Sequence, residues 1–402
     1  MPAEQRDVGL KRTGQCDQGT ENGLTIGCAM RIVLWGTYDT GKPRIRIIKD
    51  GLRRNGIEVI TCHSNVWSGI EDKTQVTGLV RKVLCLIQWF LRYPRLIYRY
   101  VKLPNHDAVL VGYLGHLDVL LLWPFARLRG KPVIWDAFLS LYSTIVEDRK
   151  LISRWNPLAI AIYIWEWLAC RAANRIILDT KSHADYFIQK YGLKKSRVKA
   201  IFVGAEDTAF TPAAAAAQST HSVSVLFYGQ FIPLHGIQTI VEAARLTRDE
   251  EINWTLIGKG QEAARIKTMI DDGPTCRITW IEWAPYEQLR EWIQKADICL
   301  GIFGTSDKAA RVIPNKVFQV LLCGKPLVTR DSAATRELLS PGMPGIMLVP
   351  AGNPQALADA VKTLSHTQLP ETLHQGLTDR ITPPGIGKEW VQMIKSLIQK
   401  KG

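Results

Sequence analysis

At 402 residues, the chain is too long for one ordinary hydrophobic core, so two domains are expected. Its hydrophobic content of 46% and charged content of 22% are typical of a globular protein. The formal net charge of +14 predicts a polyanionic partner, for which nucleic acid, an anionic membrane face and a phosphorylated substrate all qualify.

The eight cysteines are scattered, with no CxxC pair and no Cys/His cluster. This pattern predicts neither a zinc site nor a disulfide framework, and it favours a reducing compartment. The sequence has no run of 18 or more uncharged apolar residues, so no transmembrane helix is predicted. Residues 1–29 are polar and lack the apolar core of a signal peptide, and we interpret them as a disordered leader or a start codon assigned too far upstream.

From Met30 the chain reads as a strand, a glycine-rich turn, a helix and a second strand, which is a βαβ unit of a parallel sheet. The turn begins at Gly36 and contains Tyr38. Because ligands of such sheets bind at the carboxyl ends of the strands, we expect Gly36 and Tyr38 to lie in a loop of the ligand cleft.

The same turn nearly matches the phosphate-binding P-loop pattern GxxxxGK[ST], since residues 36–42 read GTYDTGK. Pro43 stands where the pattern requires the hydroxyl that binds Mg²⁺. Proline also has no N–H to offer a phosphate. A P-loop NTPase that uses Gly36 to Lys42 is therefore kept as an alternative.

A basic and aromatic segment follows at residues 79–102, with the sequence LVRKVLCLIQWFLRYPRLIYRYVK. It contains six cations and no acid, which is typical of an amphipathic helix at a membrane interface. Each cation near an anionic leaflet contributes about 1 kcal/mol, so this segment predicts a peripheral protein on the cytoplasmic face of the plasma membrane. A surface helix whose apolar side is simply core is the alternative. Nucleic acid is disfavoured as a partner because no recognised binding module accompanies the charge.

Polar residues follow two predicted strands of the first half, with His116 and Asp118 after one and Asp136 and Ser140 after the next. Sites in α/β proteins are built at these positions, so His116 and Asp136 are candidate site residues. Helix caps are the ordinary alternative for Asp and Ser. The helix near 157–173 is broadly apolar, and we predict that it belongs to the core.

The predicted elements divide the chain into two similar α/β halves. An N-terminal domain over 30–212 and a second domain over 223–384 are joined by a low-complexity linker at 213–222. A last helix over 385–402 has one apolar face, and the N-terminal domain is a candidate for the surface that it covers. The predicted fold is α/β, with two Rossmann-like domains and a cleft between them.

The second half contains a basic segment at residues 307–337. A short helix is predicted after Pro314, and Lys308, Arg311 and Lys316 lie close to its N-terminus. Free N–H groups, the helix dipole and fixed cations together predict an anion site, with phosphate as the anion. A solvated, charged helix start is the simpler alternative for any one of these lysines.

Three stretches of the sequence resemble a known family. They are VGAEDTAFTP at 203–212, FYGQFIPLHGIQTIVEAARL at 227–246 and PNKVFQVLLCGKPLVTRD at 314–331. Together they resemble the interdomain, phosphate-loop and sugar-nucleotide segments of retaining GT-B glycosyltransferases of the family-4 type. The resemblance extends from about Met30 to the end of the chain.

This resemblance implies transfer of a sugar from a nucleotide sugar to an acceptor, with retention of the anomeric configuration. It also implies that the enzyme uses neither a metal nor a cofactor, because helix dipole and cations would neutralise the leaving diphosphate. The residues expected to hold the donor are Gly229, Gln230, His235, Gly236, Lys308, Arg311, Asn315, Lys316, Gln319 and Trp283. Within this set, Asn315 and Gln319 would face ribose or sugar, and Trp283 the base. In the first domain, His116 and Asp136 would orient the acceptor or a sugar hydroxyl.

The sequence also departs from the family pattern. The paired glutamates of the family correspond to Arg311 and Gln319, and the cations of its phosphate loop correspond to Gln230 and His235. The first-domain histidine corresponds to Asp136. These changes predict a divergent subgroup, with a non-catalytic scaffold as the alternative. The basic segment at 79–102 suggests that the acceptor is a lipid-linked or cell-envelope glycan.

Overall fold

The computed structural model describes residues 30–66, 79–212, 222–273 and 276–399, and for residues 79–89 it describes the backbone alone. The leader expected at 1–29, nearly all of the linker expected at 213–222 and the last three residues lie outside this range.

The N-terminal domain is built on a sheet of six parallel strands in the order β2-β1-β3-β4-β5-β6. Its central strands are short runs of Val, Ile, Leu and Trp that are buried on both faces, as parallel strands require. The strands are β1 Arg31–Gly36, β2 Glu58–His63, β3 Ala108–Val111, β4 Val133–Asp136, β5 Arg175–Leu178 and β6 Val198–Ala200.

Helices cover both faces of this sheet. They are α1 Pro43–Arg54, α2 Leu79–Val101, α3 His116–Leu128, α4 Pro157–Ala172 and α5 Lys181–Tyr191. Side chains of α2, α3, α4 and α5 share one hydrophobic cluster, while α1 contributes to the cluster on the opposite face. A π-helical turn, Ser143–Asp148, follows β4 and faces the second domain.

The C-terminal domain repeats this architecture with six parallel strands in the order β12-β11-β10-β7-β8-β9. Numbered within the domain, this order is that of the Rossmann fold. The strands are β7 Val223–Tyr228, β8 Ile252–Ile257, β9 Ile278–Ile281, β10 Ile298–Leu300, β11 Leu327–Arg330 and β12 Ile346–Val349. The prediction of an α/β fold with two Rossmann-like domains is confirmed.

The helices of the second half are α6 Ile237–Leu246, α7 Ala263–Asp271, α8 Leu289–Lys295, α9 Asp307–Arg311, α10 Asn315–Leu322, α11 Pro354–Ser365, α12 Thr378–Ile381 and α13 Pro383–Gln399. Helix α10 begins directly after Pro314, as predicted, and Gly324 beyond its end has a left-handed backbone with φ of 65°. Residues 307–311 also form a short helix, α9, because the Ser306 hydroxyl accepts the Ala309 N–H and caps a helical turn.

The last helix, α13, leaves the C-terminal domain and packs on α1 of the N-terminal domain. Trp390 and Ile394 are buried there in the same cluster as the residues of α1. The two helices approach closely at a pair of glycines, since a β-carbon added to Gly387 would lie 2.1 Å from the carbonyl oxygen of Gly51.

The chain thus passes between the domains twice, once after β6 and once before α13. The two passes run side by side, and the Ala205 N–H donates to the Ile381 carbonyl at 2.8 Å. Gly204 has a left-handed backbone, with φ of 74°, and a β-carbon there would lie 2.4 Å from the same carbonyl oxygen. In the described ranges, no helix has both the length and the apolar character that crossing a bilayer requires.

Candidate functional site

A cavity of about 640 Å³ lies between the two domains. On the N-terminal side it is lined by Glu147, Asp148 and Lys150, which follow β4, and by Tyr186 of α5. On the C-terminal side it is lined by the segment 305–311, which follows β10, and by the turn after β7. The lining segments follow the carboxyl ends of parallel strands, which is the usual position of a ligand site in such sheets.

Two of the predicted phosphate ligands, Lys308 and Arg311, line this cavity. The Lys308 ammonium donates to the hydroxyl of Thr144 at 2.8 Å, and burial lowers the pKa of Lys308 to about 8. The Arg311 guanidinium donates to the Ser143 hydroxyl at 3.2 Å and lies 3.6 Å from the Glu147 carboxylate. Both cations of α9 therefore bridge the cleft to the turn that follows β4.

Lys316 differs from these two cations because its ammonium is buried and has no hydrogen-bond partner among the described residues. The Nζ atom lies 3.7 Å from the centroid of the Phe227 ring, and burial lowers the pKa of Lys316 well below its usual range. A buried ammonium without an acceptor is costly, so this position is suited to receive an anion.

The loop after β7 brings Gly229 and His235 to Lys316. The Gly229 backbone has φ of 145°, which residues with a side chain rarely adopt, and a β-carbon there would lie 2.9 Å from Lys316 Nζ and 3.0 Å from the His235 ring. The His235 Nδ1–H donates to the Gln230 carbonyl. Burial and the nearby charge of Lys316 hold the pKa of His235 well below its usual range. The imidazole is therefore neutral in the free protein, with a lone pair on Nε2.

Other predicted donor residues occupy different surroundings. Gln230 is exposed, and Gly236 has a left-handed backbone with φ of 65° at the start of α6. Trp283 is 54% exposed in the loop after β9, and Asn315 is the half-buried first residue of α10.

Gln319 does not lie as expected. Its side chain is buried, its amide oxygen accepts from the Tyr228 hydroxyl at 2.8 Å, and its amide nitrogen donates to Tyr286 at 3.4 Å. Both ends of the amide are thus bonded within the domain, which contradicts the expectation that Gln319 faces ribose or sugar.

His116 and Asp136 also lie in the interior of the N-terminal domain instead of at the cleft surface. The Asp136 carboxylate is fully buried and accepts from Arg44 Nη2 at 2.6 Å and from Arg44 Nε at 2.8 and 2.9 Å. His116 Nε2 lies 3.2 Å from the buried Glu166 carboxylate. The structure therefore contradicts the expectation that these two residues orient an acceptor, because both side chains are buried and bonded to internal partners.

The loop that carries Gly36 and Tyr38 is likewise occupied by the protein itself. The Thr37 N–H donates to the Asp118 carboxylate at 2.9 Å, and the Gly41 and Lys42 N–H groups donate to Asp39. Tyr38 is buried, with its ring 4.3 Å from that of His63. A buried carboxylate under the loop would repel a phosphate, so the structure argues against the P-loop alternative.

Sequence reasoning missed the residues of the N-terminal domain that do line the cavity, of which Glu147 is the most informative. Its carboxylate accepts from Tyr186 at 3.0 Å and from Lys190 at 3.0 Å, and it faces Arg311. The sequence does contain one feature that indicates this lining, which is the pair of consecutive acids Glu147 and Asp148 after a predicted strand. In the part of the chain that the structure describes, no three His, Cys, Asp or Glu side chains come together as metal ligands.

The fold and the cleft define a two-domain α/β protein of the GT-B class. Residues 222–367, which cover most of the C-terminal domain, match the family model described as Glycosyl transferases group 1. The family match thus covers the C-terminal half of the chain, and the two-domain fold is of the GT-B type.

A D-inositol 3-phosphate glycosyltransferase of Paenarthrobacter aurescens is 24% identical over 205 residues, which are 48% of this chain and 49% of the relative. The chain therefore matches about half the length of this curated relative.

Solved structures resemble the whole fold. HepE of Anabaena, in complex with UDP, has a TM-score of 0.62 at 14% identity, with 92% of this chain and 100% of that one covered. Sucrose-phosphate synthase of Thermosynechococcus elongatus has a TM-score of 0.60 at 16% identity, with 92% and 95% covered.

Proposed function

We propose that the protein is an active glycosyltransferase that moves a sugar from a nucleotide sugar to an acceptor hydroxyl. The observation that carries this proposal is the buried, unpartnered ammonium of Lys316 under Gly229, beside His235, which is influenced by the charges of both Lys316 and Lys308. Its support from the comparisons is the family match over 222–367 and the UDP bound to HepE.

In the proposed reaction, the bond between the anomeric carbon and the diphosphate oxygen breaks, with its electron pair passing to that oxygen, while a bond to the acceptor oxygen forms. The proton of the acceptor hydroxyl passes to the leaving diphosphate. The negative charge that develops on the leaving diphosphate is neutralised by Lys308, Arg311 and Lys316. Fixed cations in a partly buried site stabilise such a charge strongly, because little reorganisation accompanies the reaction. We further propose that the anomeric configuration is retained and that the reaction requires no metal or other cofactor.

Two rearrangements accompany donor binding in this proposal. The diphosphate takes the place of the Glu147 carboxylate beside Arg311, and the Lys316 ammonium gains an acceptor. An anion close to His235 also favours its protonated form, in which Nε2 becomes a donor.

We propose a lipid-linked or cell-envelope glycan as the acceptor, and peripheral attachment to the cytoplasmic face of the plasma membrane. The support for this part is α2, on which Leu91 and Tyr98 are 71% and 64% exposed between the exposed Arg92, Arg95 and Arg99. Apolar side chains among exposed cations are suited to an anionic lipid surface.

The first test is the thermal stability of the purified protein with UDP, GDP, ADP or CMP, each with Mg²⁺ and with EDTA. A ligand at about 100 times its Kd stabilises a protein by about 2.7 kcal/mol, so a binding nucleotide raises the Tm visibly. We expect one nucleoside diphosphate to do so equally with Mg²⁺ and with EDTA. If none raises the Tm, the proposed donor site is wrong.

The second test separates an enzyme from a scaffold. The protein is incubated with the sugar form of the nucleotide that it binds and with membrane lipid extract, and release of the nucleoside diphosphate is measured. We expect release above the rate without extract, and loss of that release in Lys316→Met. Binding without any release, over acceptors of several classes, would instead identify a non-catalytic scaffold.

A further inference from the structure

Helix α4 turns an uncharged, apolar stripe towards solvent. Ile160, Ile164 and Leu168 are 52%, 50% and 43% exposed, and they recur at a spacing of four residues, which places them on one side of the helix. The opposite side carries Ala159, Ile162 and Ala169, which are buried. The expectation that α4 is a core helix is therefore correct for one side only.

Both ends of this stripe carry a tryptophan with an arginine over its ring. Before the helix, the Arg154 guanidinium lies 4.8 Å from the ring of Trp155, which is 77% exposed. At the other end, Arg171 lies 4.8 Å from the ring of Trp167. Tryptophan and arginine both have apolar bodies with a polar tip, and side chains of this kind concentrate where hydrocarbon meets water.

The neighbouring helices continue the same surface. Helix α3 packs against both α2 and α4, and all three cover the same face of the sheet. On α3, Trp123 is 41% exposed beneath the Arg127 guanidinium, at 5.8 Å, and Leu128 is 85% exposed. We call this surface the outer helical face. Its exposed apolar side chains are Phe90, Leu91, Tyr98, Val101, Trp123, Leu128, Trp155, Leu158, Ile160, Ile164, Trp167 and Leu168.

The charges of the outer helical face have one sign. The sequences of α2, α3 and α4 contain two acids, Asp118 and Glu166, and both are buried and bonded to internal partners. The exposed charges on the helices and at their ends are Arg92, Arg95, Arg99, Lys102, Arg127, Arg154 and Arg171. A second copy of the chain would bring this cationic surface against itself, which is unfavourable, whereas an anionic lipid surface satisfies both the charges and the apolar side chains.

We propose that the outer helical face, with α4 at its centre, docks the protein on an anionic membrane. This surface extends the membrane attachment proposed above from α2 to α3 and α4, and it does not depend on sugar transfer. In the docked protein, the apolar stripe of α4 enters the headgroup region and Arg154 contacts lipid phosphates. Arg171, whose guanidinium donates to the carbonyls of Tyr191 and Gly192, contributes its charge to the attraction of an anionic surface.

The position of a second cavity connects this surface to the cleft, and this step rests on the proposed function. The second cavity, of about 580 Å³, shares Glu147 and Lys150 with the cavity between the domains and extends to Arg154. It therefore runs from the cleft to the edge of the outer helical face. A lipid-borne acceptor headgroup could reach the donor site along this path without leaving the membrane surface.

The test uses the full chain with sedimented vesicles of phosphatidylcholine, with and without phosphatidylglycerol. We expect binding to the anionic vesicles alone. The variant Arg154→Gln with Arg171→Gln should weaken that binding about 30-fold, because each cation near an anionic surface contributes about fivefold. The variant Trp155→Ser, Ile164→Ser, Leu168→Ser should weaken it by at least about tenfold.

Leu246→Ser is the matched control, since Leu246 is 46% exposed on α6 in the other domain and its loss should leave vesicle binding unchanged. Each variant is first shown to keep its Tm and its stabilisation by nucleotide, so that a failure of docking is separate from a failure of the donor site. Equal binding to neutral vesicles, no binding by the parent chain, or full binding by the α4 variants would overturn the proposal. Dimerisation of the parent chain, abolished in the apolar α4 variant and without vesicle binding, would identify a second copy as the occupant and overturn it equally.

Discussion

The ammonium of Lys316 is buried in the free protein without a hydrogen-bond acceptor among the described residues, which costs free energy. An anion bound at this position would supply the acceptor. The ammonium lies over an aromatic ring, and no described oxygen accepts from it. A cation over a ring retains about 0.5–2 kcal/mol, whereas leaving a buried charged donor unbonded costs more. A site of this kind sacrifices stability in the empty protein so that an anion binds more tightly.

Lys316→Met tests this exchange, since methionine keeps the length and removes the charge. We expect the free energy of unfolding to rise by about 1 kcal/mol. We also expect nucleotide affinity to fall about 10- to 100-fold, the contribution of one charge-assisted hydrogen bond to a phosphate. Urea denaturation and calorimetric titration measure the two effects. Lys267→Met, at a lysine that is 66% exposed on α7, should change neither, and a loss of stability in Lys316→Met would contradict the argument.

Lys308 predicts the pH dependence of donor binding. Its pKa is lowered to about 8, mainly by burial, and the charged groups near it are Asp148, Arg149, Asp179 and Arg311. A diphosphate prefers the ammonium form, so affinity is full below pH 7 and falls by about tenfold as Lys308 loses its proton between pH 7 and 9. Titrations across this range check the slope.

Lys308→Arg is the control for this prediction, because a guanidinium stays charged throughout. The variant should lose the part of the slope that Lys308 contributes, while ionisation of the nucleotide, of Lys316 and of His235 remains common to both proteins. An identical slope in the two proteins would show that Lys308 does not bind the diphosphate.

At the scale of single residues, the sequence predicts groupings of residues that are near one another in the chain, and it does not predict pairs of residues that are far apart in the chain. The three cations near α10 are close in sequence, and their cluster was recognised. Asp136, in contrast, is neutralised by Arg44, which lies 92 positions away, and His116 pairs with Glu166 at a separation of 50. Strand ends alone do not show which polar side chains are already bonded.

Among the elements, α13 connects the two domains through its contact with α1. It follows the C-terminal domain in the sequence but packs on the N-terminal domain. Its close approach to α1 depends on the absence of side chains at Gly51 and Gly387. Trp390 and Ile394 fill the space beside this crossing.

Gly387→Ala tests the crossing of α1 and α13. Alanine favours a helix over glycine by about 1 kcal/mol, yet its β-carbon would lie 2.1 Å from the Gly51 carbonyl oxygen, so the helices must separate. We expect a net loss of about 1–3 kcal/mol in urea denaturation. Gly376→Ala should cost much less, because nothing lies within 4 Å of the added atom. Equal effects would argue against a close crossing.

The order of strands and helices could be read from the sequence because buried parallel strands are short apolar runs separated by amphipathic helices. Helix α9 was missed because its single capping residue, Ser306, precedes a charged stretch without periodicity. The outward side of α4 was missed for another reason. A helix that is apolar all round does not reveal which side the protein covers.

For the molecule as a whole, the repeated order of strands and helices in the sequence predicts two α/β halves with a cleft between them. The contacts across that cleft could not be predicted from the sequence. Lys308, Arg311 and Ser306 all reach across to the turn after β4, and Ser306 donates to Asp148 at 2.6 Å. A ligand in the cleft must compete with these contacts, so the coupling between domains and the affinity for donor are linked.

Glu147→Gln tests this competition, because it removes the carboxylate that faces Arg311 and leaves a group of the same shape. We expect nucleotide affinity to rise about three- to tenfold, in contrast to the usual effect of a change in a binding cleft. Calorimetric titration measures it. Glu371→Gln makes the same change of charge at an exposed position and should have no effect. A fall in affinity for Glu147→Gln would mean that its carboxylate supports the site.

The paired passes of the chain at Ala205 and Ile381 have a mechanical consequence. A domain that is connected to another by a single segment of chain can rotate about that segment. Two adjacent segments restrict this rotation, so that bending is the motion that remains. The two domains of this protein are therefore joined along one edge by a pair of adjacent connections. The two adjacent connections therefore limit how far α9 can move from the turn after β4, so its cations keep their place in the cleft.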